Sequence, residues 1–250
     1  MSFKVVIPAR YASTRLPAKP LLDINGLPMV VRVAQQAAKS GAQEIVIATD
    51  NNEILQAVEA HGFKAIMTRQ DHASGTDRIA EVALKLGWDD GEIVVNVQGD
   101  EPLIEPALIA QVAENLRENV SAVMSSACHA IHDQIAFINP NVVKVVLDIN
   151  HHALYFSRAL IPYPRDAFSG GLSLASNEKA YRHIGIYAHR VGFLKSYASL
   201  HAPAIEKTES LEQLRVLYHG YKISMLVTEN APATGVDTQE DLDFVRSLIE

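Results

Sequence analysis

Phe3-Lys-Val-Val-Ile-Pro-Ala-Arg-Tyr-Ala-Ser-Thr-Arg-Leu-Pro-Ala-Lys-Pro20 joins an apolar run of strand length to a proline-punctuated loop carrying three cations, Arg10, Arg15 and Lys19. In an open α/β sheet the crevice beyond the carboxyl ends of the strands is the usual ligand site. A loop leaving the first strand there can wrap an anion with side chains and backbone N–H groups together. A solvated basic loop accounts for the charges but not for Ser13 and Thr14, which are interleaved with them. The stretch therefore reads as a strand followed by a phosphate-binding loop. A dinucleotide-binding unit would place G-x-G-x-x-G here, and the sequence does not.

Outward from this stretch, apolar runs of strand length alternate with segments of helical period. Strands are predicted over residues 44–48, 64–67, 93–97 and 121–127, and helices over 28–39, 51–61 and 75–86, with another whose inner stripe is Leu108, Ile109, Val112 and Leu116. The helix at 51–61 has its own punctuation: Asp50 or Asn51 to cap it, Ile54, Leu55 and Val58 on one face, and Gly62 to end it. This is α/β arithmetic, a mostly parallel central sheet flanked by helices. From Cys128 the rhythm changes. Residues 142–147, 153–156 and 184–189 read as strands with no long helix between the first two, and the Pro- and Gly-rich stretch 158–180 reads as a mobile loop. One domain is expected, its core formed by residues 1–127 and 206–250 and interrupted by an insertion at 128–205. The alternation resumes with a helix at 211–219, a strand at 222–227 and a helix at 238–249.

The 250 residues are 48% hydrophobic and 20% charged, ordinary globular proportions. A formal net charge of -7 argues against nucleic acid and against anionic membrane, both of which select a dominant cationic face. A single cysteine, Cys128, rules out an intrachain disulfide and a cysteine-built zinc site, and it suits a reducing compartment. The N-terminus reaches Pro8 and Arg10 too soon for a signal-peptide core, and no apolar segment has the length of a membrane span. A cytoplasmic protein is expected.

Three further stretches carry chemistry. Val94-Val-Asn-Val-Gln-Gly-Asp-Glu-Pro102 ends a buried strand in an amide, a glycine and two carboxylates, which places Asp100 at the carboxyl edge of the sheet. A hard cation such as Mg2+ takes one or two carboxylates together with substrate phosphates. The plainer reading makes Asp100 or Glu101 a helix cap. Asp237, in Thr234-Gly-Val-Asp-Thr-Gln-Glu-Asp-Leu242, follows the last strand and belongs near the same edge, although it too reads as a capping residue beside Thr238. In His72-Ala-Ser-Gly-Thr-Asp-Arg78, Ser74 opens a helix whose free N–H groups can meet an anion or a base, while Asp77 and Arg78 stand too early on that helix to be core. Arg158, Arg165, His183 and Tyr187 form a group of cations and aromatics suited to an acidic polyhydroxylated ligand. Glu212 and Gln213, on the helix after Thr208, offer acceptors and donors for hydroxyls.

With these motifs in order, the chain resembles the CMP-Kdo synthetase family, the 3-deoxy-manno-octulosonate cytidylyltransferases, over essentially its whole length. The resemblance rests on the 7–21 loop, on Ser74-Gly-Thr-Asp-Arg78, on Asn96-Val-Gln-Gly-Asp-Glu-Pro102 and on Tyr155-Phe-Ser-Arg158 with Ile161-Pro162. It rests equally on His183-Ile-Gly-Ile-Tyr187, Glu209-Ser-Leu-Glu-Gln-Leu-Arg215 and Gly235-Val-Asp-Thr238. Ala18 stands where the family usually has glycine. The resemblance implies a nucleotidyltransferase fold of the glycosyltransferase A type with an inserted smaller mixed β subdomain that also makes a homodimer contact. It implies CTP and Kdo as substrates, CMP-Kdo and diphosphate as products, and a role in lipopolysaccharide synthesis. Arg10, Arg15 and Lys19 would hold the triphosphate beside Pro8, Ala9 and Ser13, with Ser74 and Gln98 helping to recognise the nucleotide. Asp100 and Asp237 would bind Mg2+, so that Lys19, Asp100 and Asp237 form the catalytic set. Arg78, Gln98, Arg158, Arg165, His183, Tyr187, Glu212 and Gln213 would surround the sugar. Two rivals keep the nucleotide motifs: a cytidylyltransferase for 8-amino-Kdo or a sialic acid, and a catalytically silent nucleotide-binding regulator. A glycosyltransferase is disfavoured because no D-x-D pair stands beside Asp100.

Overall fold

The first apolar run becomes β1 (Lys4–Ala9), with Val5, Val6 and Ile7 buried because both faces of the strand are covered. In this computed structural model, residues 2–12, 16–72, 74–165, 180–229, 231–233 and 235–249 are described. After β1 come a 3-10 turn at Lys19–Leu21 and a short hairpin, β2 (Asp23–Ile24) with β3 (Leu27–Pro28). Its turn is Asn25-Gly26, both at positive φ, the backbone that a two-residue hairpin needs. The expected alternation follows: α1 (Met29–Ala38), β4 (Glu44–Thr49), α2 (Asn52–Ala60), β5 (Lys64–Met67), α3 (Gly75–Lys85), β6 (Ile93–Asn96), α4 (Pro106–Glu118) and β7 (Met124–Ala130). Asn51 caps α2 by accepting from the N–H groups of Glu53 and Ile54, and Gly62 leaves it at φ +78.

Beyond β7 lie α5 (Gln134–Ile138), β8 (Lys144–Leu147), β9 (Ala153–Ser157), β10 (Tyr181–Arg190), α6 (Val191–Tyr197), α7 (Ala204–Glu209), α8 (Leu214–Tyr218), β11 (Ile223–Thr228) and α9 (Gln239–Leu248). The main path of the sheet runs β11-β7-β10-β6-β1-β4-β5. β6, β1, β4 and β5 are parallel neighbours, as are β11 and β7, whereas β10 is antiparallel to both β6 and β7. The insertion boundary at 128–205 is thereby corrected. β10 lies inside the main sheet, between β7 and β6, with Ile184, Ile186 and Ala188 buried in the same core as Val5, Ile7 and Val95. Only β8 and β9 hang off the path, pairing with each other and, through β8, with the start of β10.

Two further expectations change. The helix predicted over 211–219 is present but shorter, α8 starting only at Leu214 because residues 212–213 form a turn after the left-handed Ser210 (φ 52°) that ends α7. Glu212 and Gln213 consequently sit in the turn that leads into α8, not on a helix surface. Arg78 is core: it is fully buried on α3, its guanidinium on Asp50 Oδ2 at 2.9 Å and on Thr68 Oγ1. Its place early in the helix does not expose it, because that turn packs against the end of β4. Of the 158–180 stretch, residues 166–179 lie outside the described residues, so its expected mobility is not addressed. No helix among the described residues is long and apolar enough to cross a membrane.

Candidate active site

Two strand ends and one helix start converge at the carboxyl edge of the sheet. β1 delivers Pro8, Ala9 and Arg10, β6 delivers Asn96 and then Gln98, Gly99 and Asp100, and α3 brings Gly75 at its N-terminus. Together with Lys19, Pro20, Tyr187 and Glu212 they line a cavity of about 300 Å³. Gly99 is required by close packing, since a Cβ there would lie 2.7 Å from the carbonyl oxygen of Pro8. That approach draws Asp100 against the end of β1. The Val236 N–H then donates to the Asp100 carbonyl at 2.8 Å, which brings the following residue, Asp237, to the same place.

Lys19 lies between the two carboxylates, its Nζ 2.6 Å from Asp100 Oδ2 and 3.1 Å from Asp237 Oδ1. The lysine is mostly buried, while the Asp100 and Asp237 side chains are 37% and 50% exposed, so both acids keep a face open to a ligand. Neither acid is a helix cap. α4 has Glu105 at its N-cap position with no side-chain cap bond, and α9 is capped by Thr238 in a reciprocal box with Asp241. Two hard carboxylate oxygens already sharing one cation are a donor set that suits Mg2+ completed by phosphate oxygens. No group of three or more His, Cys, Asp or Glu side chains suited to a metal exists among the described residues. Ser74 caps α3, accepting from the Asp77 N–H at 3.1 Å and donating to Asp77 Oδ2 at 2.9 Å. Arg10 reaches back to the carbonyl of His72 at 3.1 Å. Ser13 and Arg15 lie outside the described residues.

A second cavity, about 380 Å³, adjoins the first and shares Gln98, Tyr187 and Glu212 with it. His183, Gly185 and Gln213 line it as well, and so do Asn141, Arg182 and Ser210. Gln98 spans the boundary, its Nε2 donating to the carbonyl of Gly185 at 3.3 Å. Burial shifts His183, Tyr187 and Glu212 of this wall in the direction of their neutral forms. Burial lowers His183 to about 3, so it is not the cation expected of it. Burial, reinforced by Glu212 and Glu101, raises the Tyr187 phenol. Burial also raises Glu212, opposed by hydrogen bonds from Ser74 and Thr76. Glu101 is lifted to about 7 by burial and then by Asp100.

His183 Nε2 is 2.9 Å from Ser126 Oγ, whose one proton is already sought by the carbonyls of Ile186 at 2.8 Å and Ile184 at 3.2 Å. Nε2 therefore carries the imidazole proton and donates, which leaves Nδ1 as an acceptor.

Arg158 and Arg165 stand apart from both cavities. The Arg158 guanidinium donates to the carbonyls of Glu209 at 2.7 Å and Pro140 at 3.1 Å, a structural role. Arg165 is exposed, its backbone N–H on the Tyr163 carbonyl. Asn96, Asn141, Arg182 and Ser210 were not singled out by sequence. Arg182 adjoins the His183–Tyr187 motif, a signal that proximity alone could have used, whereas nothing local marks Asn141.

A cytidylyltransferase family profile matches residues 4–223. Among solved structures, that of a CMP:2-keto-3-deoxy-manno-octonic acid synthetase complexed with CTP is 43% identical, with a TM-score of 0.89 over 99% of this chain and 97% of that one. A cytidylyltransferase from Leptospira borgpetersenii serovar Hardjo-bovis (strain JB197), at 16% identity and a TM-score of 0.63 over 98% of this chain and 85% of that one, shares the fold. A sheet edge that gathers Lys19, Asp100 and Asp237 beside two joined cavities, in a chain this similar over its full span, places the protein in the cytidylyltransferase family, among the CMP-Kdo synthetases.

Proposed function

We propose that the protein transfers the cytidylyl group of CTP to 3-deoxy-D-manno-octulosonate, releasing diphosphate. The observation that carries this reading is the pair of adjoining cavities with a common wall of Gln98, Tyr187 and Glu212. One is bordered by cations and Asp100, as a triphosphate requires; the other is a bed of hydrogen-bonding side chains with one arginine, Arg182, suited to a hydroxylated acid. A nucleotide in the first and a sugar acid in the second would meet at that wall. A silent regulator has no use for the second cavity. An 8-amino or sialic acid substrate would differ by a few polar contacts there.

Reaction needs no covalent enzyme intermediate. The anomeric hydroxyl attacks the α-phosphorus in line and diphosphate leaves opposite, so the enzyme's work is positioning and charge neutralisation. Arg10 and Lys19 hold the phosphates, with the N-terminus of α3 facing the same cavity. Lys19 also balances Asp100 and Asp237 until substrate arrives, which keeps two close carboxylates from repelling each other. Asp100 and Asp237 are the residues that would hold Mg2+, as one ion or two. When bound, it offsets phosphate charge and orients the attacking oxygen. His183 accepts at Nδ1, and Gln98, Gln213 and Glu212 orient hydroxyls. The proposal extends to a cytoplasmic enzyme feeding lipopolysaccharide synthesis, and to a homodimer. The exposed apolar side chains Ile149, Leu154 and Tyr163 around the β8–β9 hairpin support the dimer.

The test is Mg2+-dependent diphosphate release from CTP with Kdo, beside 8-amino-Kdo, N-acetylneuraminic acid and no sugar. Release with Kdo alone is expected. Release with another acid only would move the sugar assignment, and silence with all of them despite tight CTP binding would favour a regulator.

A further inference from the structure

Behind the sugar wall lies a small space of about 10 Å³ lined by Thr76, Met124, Tyr187, His189, Tyr197, Glu212, Gln213 and Val216. Three of these present polar atoms that have no hydrogen-bond partner: both ring nitrogens of His189, Nε2 of Gln213 and Oε1 of Glu212. His189 is 1% exposed and Gln213 4% exposed. Buried polar groups are paired in folded proteins almost without exception, and an orphan is costly. Here orphans from two remote segments, β10 and the turn before α8, border one space. Its volume is that of a single ordered water, which needs two to four polar partners.

Burial holds His189 neutral, its pKa lowered to about 4, so one nitrogen donates and the other accepts. The His189 ring stands 6.2 Å from the Tyr187 ring on the same face of β10. The Tyr197 hydroxyl donates to the Glu212 carbonyl at 3.5 Å from the far side. Met124 and Val216 line the space with apolar surface, which leaves the four unpaired atoms as the partners for a polar occupant.

We propose that this space is a built water site, in which one water bridges His189, Gln213 and Glu212, and that His189 acts through it as a positioning residue for the sugar wall. The water holds the outward faces of Glu212 and Gln213 toward the neighbouring cavity, so His189 influences the sugar acid without touching it. This rests on the reading that Glu212 and Gln213 face the sugar.

Two measurements test it. A high-resolution crystal structure of the unmodified protein is expected to show one ordered water within about 2.7–3.2 Å of both His189 and Gln213. An empty space, or direct pairing of His189 with Gln213, overturns the proposal whatever the substrate proves to be. In the second, His189→Phe keeps a ring but removes both polar atoms. It is expected to raise KM for the sugar acid about tenfold and leave KM for CTP within about twofold. His189→Gln, which keeps a donor and an acceptor, should recover most of the loss. An equal rise in both KM values, or no recovery with Gln, would make His189 a packing residue only. If Kdo is not the substrate the kinetic arm fails with the functional reading, while the crystallographic arm still decides the water.

Discussion

The two halves of the site are built by opposite strategies. The nucleotide half keeps its charges: Lys19, Asp100 and Asp237 stand together, and the two acids are open to solvent. The sugar half disfavours them, burial lowering the pKa of His183 to about 3 and raising that of Glu212. Ionised groups near solvent can bind a polyanion and let its product go, since water screens part of each contact. Neutral buried groups discriminate instead, because each donor or acceptor left unmatched is costly. The division also appears in the glycines. Gly99 is fixed by backbone at 2.7 Å, whereas a Cβ at Gly185 would meet nothing within 4 Å.

The sharpest way to break this contrast is Asp100→Ala, expected to lower turnover on the order of 10²–10³-fold in a diphosphate-release assay with Mg2+. Near-normal turnover would remove Asp100 from the metal and phosphate machinery. Gly99→Ala comes next. The added methyl must push β1 and Asp100 apart, and a displacement of that kind costs on the order of 10²-fold in kcat/KM. Steady-state kinetics that matched the parent would mean the close approach is not needed. Gly185→Val should raise KM for the sugar acid roughly tenfold and spare KM for CTP, because its side chain enters only the second cavity; a parallel rise in both would merge the two halves.

A fourth effect is read in stability rather than rate. His183 titrates near 3 when folded and near its ordinary value when unfolded, so below about pH 6.5 only the unfolded chain takes up its proton. Its contribution to stability is therefore present near neutrality and lost as pH falls toward 3. Thermal midpoints of the parent and His183→Gln, compared from pH 7 to 4, should show the parent falling more steeply. Identical slopes would mean that His183 is solvated. The smallest effect is at Ala18, which takes φ +51° immediately before Lys19. A left-handed residue with a Cβ costs about 1 kcal/mol, so Ala18→Gly should raise unfolding free energy by up to that amount with little change in activity. Destabilisation would show that lost chain entropy outweighs relieved strain.

The nucleotide half was legible in sequence because its determinants are local. A strand, a cationic loop and Gly99-Asp100 are contiguous signals, and strand ends at one sheet edge must meet. The sugar half was legible as motifs but not as geometry. Arg158 resembled a ligand-binding cation and is spent on two carbonyls, and Arg78 resembled a surface residue and is buried against Asp50 and Thr68. Partners that distant in the chain leave no periodic trace. The helix read across Leu211–His219 is found at Leu214–Tyr218, its first turn given up to the bend that follows the left-handed Ser210. The strand at 181–190 was legible as a strand, but its place inside the sheet between β7 and β6 was not, since pairing between remote strands has no local code.

That inserted strand also sets an order of assembly. β6 and β7 are adjacent in sequence, yet no ladder joins them, and each waits for β10 to fill the gap between them. A chain emerging from the ribosome can pair β1, β4, β5 and β6 early, but the exposed edge of β6 stays open until about 90 further residues have been made. Contacts that span so much chain slow closure, and an unpaired strand edge is a template for aggregation in the meantime. The enzyme's two halves are thus joined late in its own synthesis, by the same strand that carries His183, Tyr187 and His189.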